Sequence, residues 1–132
     1  MRYLLDTNIC IYVAKKKSQV LLSRFEHLHA GDAAMSIVTY LELIYGAYKS
    51  ERAETNLATI QELASIIPVL PLDVSIAHHY GRVRADLEHK GTPIGAYDLM
   101  IACHALSLEL TLVTNNIREF SRISRLHIEN WG

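Results

Sequence analysis

Cysteine occurs only twice in this 132-residue chain, proline three times and tryptophan once. Cys10 and Cys103 stand alone among apolar neighbours, without CxxC spacing, which excludes a disulfide framework and a thiolate metal site. Buried free thiols suit a reducing compartment. No apolar run approaches the roughly 20 residues that a membrane-spanning helix needs. The opening MRYLLDTN meets an acid at Asp6, which interrupts any signal-peptide core, so a cytoplasmic location is expected. Repeats, low-complexity segments and linker-like stretches are absent. At this length the expectation is a single domain over 1–132, since two independent cores would be too small. There is no charge excess either: 13 basic residues face 14 acidic ones, for a net charge of −1.

What is present is a globular composition, half hydrophobic and one fifth charged. The basic residues are bunched at Lys15–Lys17, Lys49 and Arg52, Arg82 and Arg84, and Arg118, Arg122 and Arg125. Local fields of this kind, rather than net charge, steer a polyanion. A solvated face is the alternative for each bunch.

Strand and helix signals alternate along the chain. Tyr3–Leu5 reads as a strand ending at Asp6-Thr7-Asn8, followed by a helix to Lys15 and another over Val20–His29, closed by Gly31-Asp32. Ala33–Val38 reads as a second strand, then helices over Thr39–Ser50 and Thr55–Ile67. Pro68 breaks the chain before an extended Val69–Leu72. Asp73 caps a helix to about Lys90, stopped by Gly91. A helix over Ala96–Leu108, a strand at Thr111–Val113 and a short strand at His127–Glu129 complete the pattern. Such alternation predicts an α/β fold with a mostly parallel sheet covered by helices on both faces. In these folds the functional crevice lies beyond the carboxyl ends of the strands. Asp6-Thr7-Asn8 and Thr114-Asn115-Asn116 should therefore share one sheet edge.

Each acid near that edge has an ordinary explanation as well as a chemical one. Asp6 follows a strand and suits a helix N-cap; Asn8 offers an alternative cap that would leave Asp6 facing the crevice. Glu42 stands three residues after Thr39, the capping-box pattern. It also opens a stripe, Glu42, Tyr45, Lys49 and Arg52, at helical spacing, opposite Tyr40, Ile44, Ala47 and Tyr48. At about 1.5 Å per residue, Lys49 is roughly 10 Å and Arg52 roughly 15 Å from Glu42, a track for a phosphodiester backbone. Asp98 in a first helical turn is favoured by the helix dipole. Its helix is otherwise apolar, however, and a buried carboxylate there needs a positive partner that the neighbouring sequence does not supply. Asn116 suits a capped turn and Glu119 a surface charge, yet together they add two oxygens to the same edge. Several acids gather only if a cation offsets their repulsion. Oxygen ligands select Mg²⁺, or Mn²⁺ in its place, and such ions assist phosphoryl hydrolysis.

The blocks MRYLLDTNICIY, SIVTYLELIYGA, GTPIGAYDLMIACHAL and LVTNNIREFSRI closely resemble, in order and across essentially the whole chain, the VapC toxins of the PIN-domain family. The resemblance implies an α/β/α sandwich and a Mg²⁺-dependent endoribonuclease, with Asp6, Glu42 and Asp98 as metal-binding acids. Many PIN domains carry Thr-x-Asp where this chain has Thr114-Asn115-Asn116, so the fourth acid is replaced by Asn116, and Glu119 is the candidate substitute. Thr7, Asn8, Lys49, Arg52, Thr114, Asn115 and Arg118 are candidate contacts to substrate. The resemblance further implies an RNA substrate (initiator tRNA cut in its anticodon stem-loop), a homodimer, and inhibition by a VapB-type antitoxin that fills the groove.

Three other classes compete. A receiver domain or aspartyl-phosphate phosphatase also places an Asp after its first strand, but the phosphatases usually need a second Asp where this chain has Asn8. A histidine ribonuclease would need a His…Lys…His pattern that the seven histidines do not form; His104 reads as core. In a silent binding module the acids would serve only as caps.

Overall fold

The computed structural model describes residues 1–16, 19–29 and 31–131; Lys17, from the first basic bunch, lies outside them. The elements run β1 (Tyr3–Leu5), α1 (Thr7–Lys15), α2 (Gln19–Glu26), β2 (Ala33–Ser36), α3 (Ile37–Lys49) and α4 (Ala53–Ile66). Then follow β3 (Val69–Leu70), α5 (Ile76–His89), α6 (Ala96–Leu108), β4 (Thr111–Val113), α7 (Ile117–Phe120) and β5 (Ile128–Glu129). The five strands form one parallel sheet in the order β3-β2-β1-β4-β5.

Side-chain alternation along the strands divides the core in two. Tyr3, Leu5, Met35 and Val113 pack against α1–α4, with Ile9, Leu43 and Leu63 among their partners and Trp131 edge-on to Tyr3. Leu4, Ala34 and Leu112 face the other way, onto Leu87 of α5, Leu99 and Ala102 of α6, and Phe120 of α7. The result is the expected α/β/α sandwich. Because the chain leaves β1 toward β2 and β3, then returns to add β4 and β5 on the other side, β1 and β4 flank the point where the strand order reverses. Open parallel sheets present their crevice there. Register places Leu5 beside Val113, and Asp6 N donates to the Val113 carbonyl at 3.0 Å. The two polar triplets thus emerge side by side, as their positions after strands required.

The boundaries differ most where β2 meets α3. The strand ends at Ser36 and the helix begins at Ile37, two residues before the expected start. Ser36 is the cap: its hydroxyl accepts from Val38 N at 3.1 Å. The same oxygen meets His104 Nδ1 at 2.8 Å. Apolar Ile37 and Val38 imitate a continuing strand, but Ser36 offers a better helix start than Thr39, which lies inside the helix. The helix also ends at Lys49, with Ser50 extended at ψ 162°. Arg52 is therefore not on α3, and its expected place on a continuous stripe, 15 Å along the axis, is corrected: it precedes α4. Tyr48 is exposed rather than packed with Ala47. The helix expected over Val20–His29 is shorter, ending at Glu26, and the four residues of α7 carry no periodic signal in the sequence.

Ser36 thus satisfies a helix end and one nitrogen of a buried imidazole at once. Ser36→Ala should cost about 2 kcal/mol, combining a lost cap with an unsatisfied buried ring nitrogen. A urea unfolding midpoint lowered at unchanged slope would show it; an unshifted midpoint would mean that His104 repairs its loss.

Candidate active site

Asp6 sits on the junction of β1 and α1 with only 5% of its surface exposed. It caps α1 itself, accepting from Ile9 N at 2.9 Å through Oδ1. The alternative of an Asn8 cap is corrected, since Asn8 lies within the helix and faces solvent. The cap and the crevice are compatible, because one carboxylate oxygen bonds Ile9 and the other remains. Burial raises the Asp6 pKa; hydrogen bonds from Thr114 and Ile9 favour its charged form, and the Glu42 charge adds to the rise.

Glu42 reaches the same place from α3. The Thr7 hydroxyl donates to Glu42 Oε1 at 2.8 Å and lies 3.2 Å from the Thr39 hydroxyl. With Thr39 buried inside the helix, Glu42 is not half of a capping box, and its partner is a residue 35 positions earlier in the chain. Thr39 contributes to the site through the Thr7 hydroxyl rather than as a cap. Its Thr-x-x-Glu spacing imitates a cap, and only the packing of α1 on α3 reveals the other use.

Asp98, in the first turn of α6, is half-buried and makes no hydrogen bond or ion pair among the described residues. Burial raises its pKa, followed by the charges of Asp6, Glu119 and Glu42, to about 6. Three acids from three other segments therefore act on the Asp98 carboxyl. On the far side of the crevice Asn116 Nδ2 donates to Glu119 Oε2 at 3.0 Å, and Asn116 N donates to Thr114 Oγ1 at 2.9 Å. The short helix α7 turns Glu119 back toward Asn116, as required if the two share an edge.

The ion pairs of the described residues, Arg24–Glu129, Arg84–Glu88 and Lys90–Asp86, lie elsewhere. Among the described residues, no cation partners the four acids. At the same time, no three His, Cys, Asp or Glu side chains among the described residues are close enough together to hold a metal ion. The acids converge on one edge without closing a cage. By donor chemistry they fit a hard divalent cation: every candidate ligand is oxygen, and Mg²⁺ is usually held by one or two carboxylates while keeping several waters.

The candidate substrate contacts divide. Asn8, Lys49, Arg52, Asn115 and Arg118 are exposed, and Lys49 Nζ lies 5.8 Å from the Tyr45 ring centre. Thr114 is fully buried; its side chain positions Asp6 and Asn116, and the expectation of a substrate contact there is corrected. Thr7 is committed to Glu42. Arg122 donates to the Pro93 carbonyl at 3.1 Å, which ties α7 to the loop before Asp98. His104 is buried core, its pKa lowered by burial against a smaller opposing pull from the Pro71 carbonyl. Both cysteines are buried and free, with burial pushing the Cys103 thiol up to about 11.

The raised Asp98 value has a definite sign. Its folded pKa of about 6 exceeds an unfolded value near 3.8, so the native state holds more protons between those values. In EDTA, stability should fall as pH rises from about 4 to 6 and stay low above. Asp98→Asn should raise metal-free stability at pH 7.5 by about 1–2 kcal/mol, the equivalent of that pKa rise discounted for partial solvent exposure. The gain should vanish near pH 4. A destabilised Asp98→Asn at pH 7.5 would show that the carboxylate has a cation partner without metal.

The PIN domain family profile matches residues 3–126. The chain is 47% identical over 132 residues to tRNA(fMet)-specific endonuclease VapC of Shigella flexneri, covering 100% of this chain and 99% of that one. It is 45% identical over 131 residues to Ribonuclease VapC of Haemophilus influenzae, covering 99% and 98%. Among solved structures, DNA-bound VapBC from Salmonella typhimurium superposes with a TM-score of 0.94 at 46% identity, covering 100% of this chain and 99% of that one. VapBC2 from Rickettsia felis, bound to a DNA fragment from its promoter, gives 0.93 at 40% identity, covering 100% of each.

Proposed function

The chain belongs to the PIN-domain family, within its VapC group, and on that premise we propose that it is a Mg²⁺-dependent endoribonuclease toxin. The observation that carries this reading is the convergence of Asp6, Glu42, Asp98 and Glu119 on one sheet edge, without a cation partner among the described residues. PIN-domain nucleases are generally dependent on a divalent metal. Asp6, Glu42 and Asp98 are the residues to hold it here, with Glu119 and Asn116 completing the set and Mn²⁺ as a substitute. When bound, the ion supplies positive charge to the scissile phosphate and acidity to an attacking water.

The chain's own residues set the stage for that chemistry. Thr7 fixes the Glu42 rotamer, Thr114 and Ile9 N–H hold Asp6, and Asn116 orients Glu119. Asn116 cannot add negative charge, so Glu119 takes the part of the fourth acid. Exposed Lys49, Arg52 and Arg118 are proposed to take phosphates of the RNA backbone, and Asn8 and Asn115 to contact the nucleotide. The names of the relatives make tRNA the proposed substrate, initiator tRNA in particular. The VapBC structures make a VapB-type antitoxin the proposed partner, seated over this groove, in an assembly built on a toxin homodimer in the cytoplasm. No helix among the described residues is long and apolar enough to cross a membrane.

Cleavage of tRNA should stop in EDTA and return with Mg²⁺, and the products should carry 5′-phosphate and 3′-hydroxyl ends. Asp6→Asn, Glu42→Gln and Asp98→Asn should each lower kcat/KM by at least about a hundredfold, equivalent to some 2.7 kcal/mol or more of lost transition-state stabilisation. Glu119→Gln should weaken metal binding more than Asn116→Ala. Cyclic-phosphate ends, or full cleavage in EDTA, would refute the metal mechanism.

A further inference from the structure

A second cleft opens at the opposite edge of the sheet. It has a volume of about 640 Å³ and runs between α5 and the segment before β5. Its floor includes Val83 of α5, Leu106 of α6 and Leu110, just before β4. The acids of the active site lie beyond the other end of that strand, after Val113. Strand length alone separates the two ends by about 10 Å, at roughly 3.3 Å per residue.

The walls of this cleft are charged and unevenly compensated. Arg82 and Arg125 stand on opposite walls, both exposed. Arg82 lies 3.5 Å from the His79 ring nitrogen Nδ1, and neither arginine has a carboxylate partner among the described residues. Asp86, the acid on the α5 wall, is already paired with Lys90 at 3.0 Å. Glu109 is the remaining acid. Arg125 is held at φ 69°, in the left-handed region that favours glycine, although glycine would serve a plain turn better there. An apolar floor between two uncompensated guanidinium groups matches a nucleotide unit: phosphate on the arginines, base or ribose on the floor.

We propose that this cleft is a second RNA-binding site, which grips a phosphate of the substrate remote from the scissile bond through Arg82 and Arg125. The proposal rests on the reading of the chain as a ribonuclease. An RNA held by both edges gains affinity without any change in the chemistry. The cleft therefore acts on KM and not on kcat.

The test compares wild-type protein, Arg82→Gln/Arg125→Gln and Glu109→Gln in Mg²⁺, with intact tRNA as substrate. The double variant should raise KM about tenfold near physiological salt and leave kcat unchanged, while the slope of log KM against log salt falls by about two. Both arginines are exposed, so circular dichroism and melting should match wild type. Glu109→Gln, which removes the opposing acid, should lower KM. An unchanged KM and salt slope in the double variant would overturn the proposal, as would a higher KM in Glu109→Gln. Loss of VapB-type antitoxin binding in the double variant at unchanged KM would assign the cleft to a protein contact and overturn it equally. Failure of the wild-type protein to cut tRNA would instead count against the ribonuclease reading; filter binding of the same tRNA in EDTA would then still test the cleft, which predicts weaker retention by the double variant.

Discussion

Four carboxylates held at one edge of a small domain repel one another, and the fold is arranged to keep them there. The parallel pairing of Leu5 with Val113 fixes Asp6 and Thr114 side by side. The packing of α1 on α3 then delivers Glu42 to Thr7, and the packing of α6 on the other face of the sheet brings Asp98 up from below. None of these placements is repaid by a salt bridge among the described residues. Asp98 registers the cost, its pKa lifted to about 6 by burial and by three other acids. Metal-free protein therefore carries a local destabilisation that a bound cation would relieve, a common bargain between stability and a functional site.

The hydrogen bonds around the acids follow from that constraint. A carboxylate free to rotate would swing into water and shed the repulsion. Thr7 on Glu42, Ile9 N–H and Thr114 on Asp6, and Asn116 on Glu119 each remove that freedom. Asp98 alone lacks such a bond among the described residues. It is the carboxylate with the most to gain from a cation and the least to hold it otherwise.

Much of this was legible in the sequence because strand ends and polar triplets are local signals. Tyr3–Leu5 and Thr111–Val113 are short apolar runs closed by polar residues, and the rule for parallel sheets converts them into one edge. Asp98 was legible as a charge on an apolar helix. What misled was also local. Thr39-x-x-Glu42 has the spacing of a capping box, yet Ser36 begins the helix, and nothing nearby in sequence announces that Glu42 is bound by Thr7. Similarly, Lys49 and Arg52 have helical spacing across a helix end that Ser50 imposes. Thr114 follows a strand and stands among the candidate substrate contacts, while its side chain is buried and bonded to Asp6. The contact of Asn116 with Glu119 depends on a four-residue helix too short for any periodicity to reveal.

The central claim is that a divalent cation replaces the proton that burial and the neighbouring acids drive onto Asp98. Titration calorimetry of Mg²⁺ or Mn²⁺ into the metal-free protein, repeated in buffers of different ionisation enthalpy, measures that exchange directly. Near pH 6, binding should release about half a proton or more per ion, because Asp98 is then about half protonated. Near pH 8 the Asp98 contribution should disappear, and Asp98→Asn should lack it at both values. Binding with no proton release at pH 6, or no binding at all, would contradict the account.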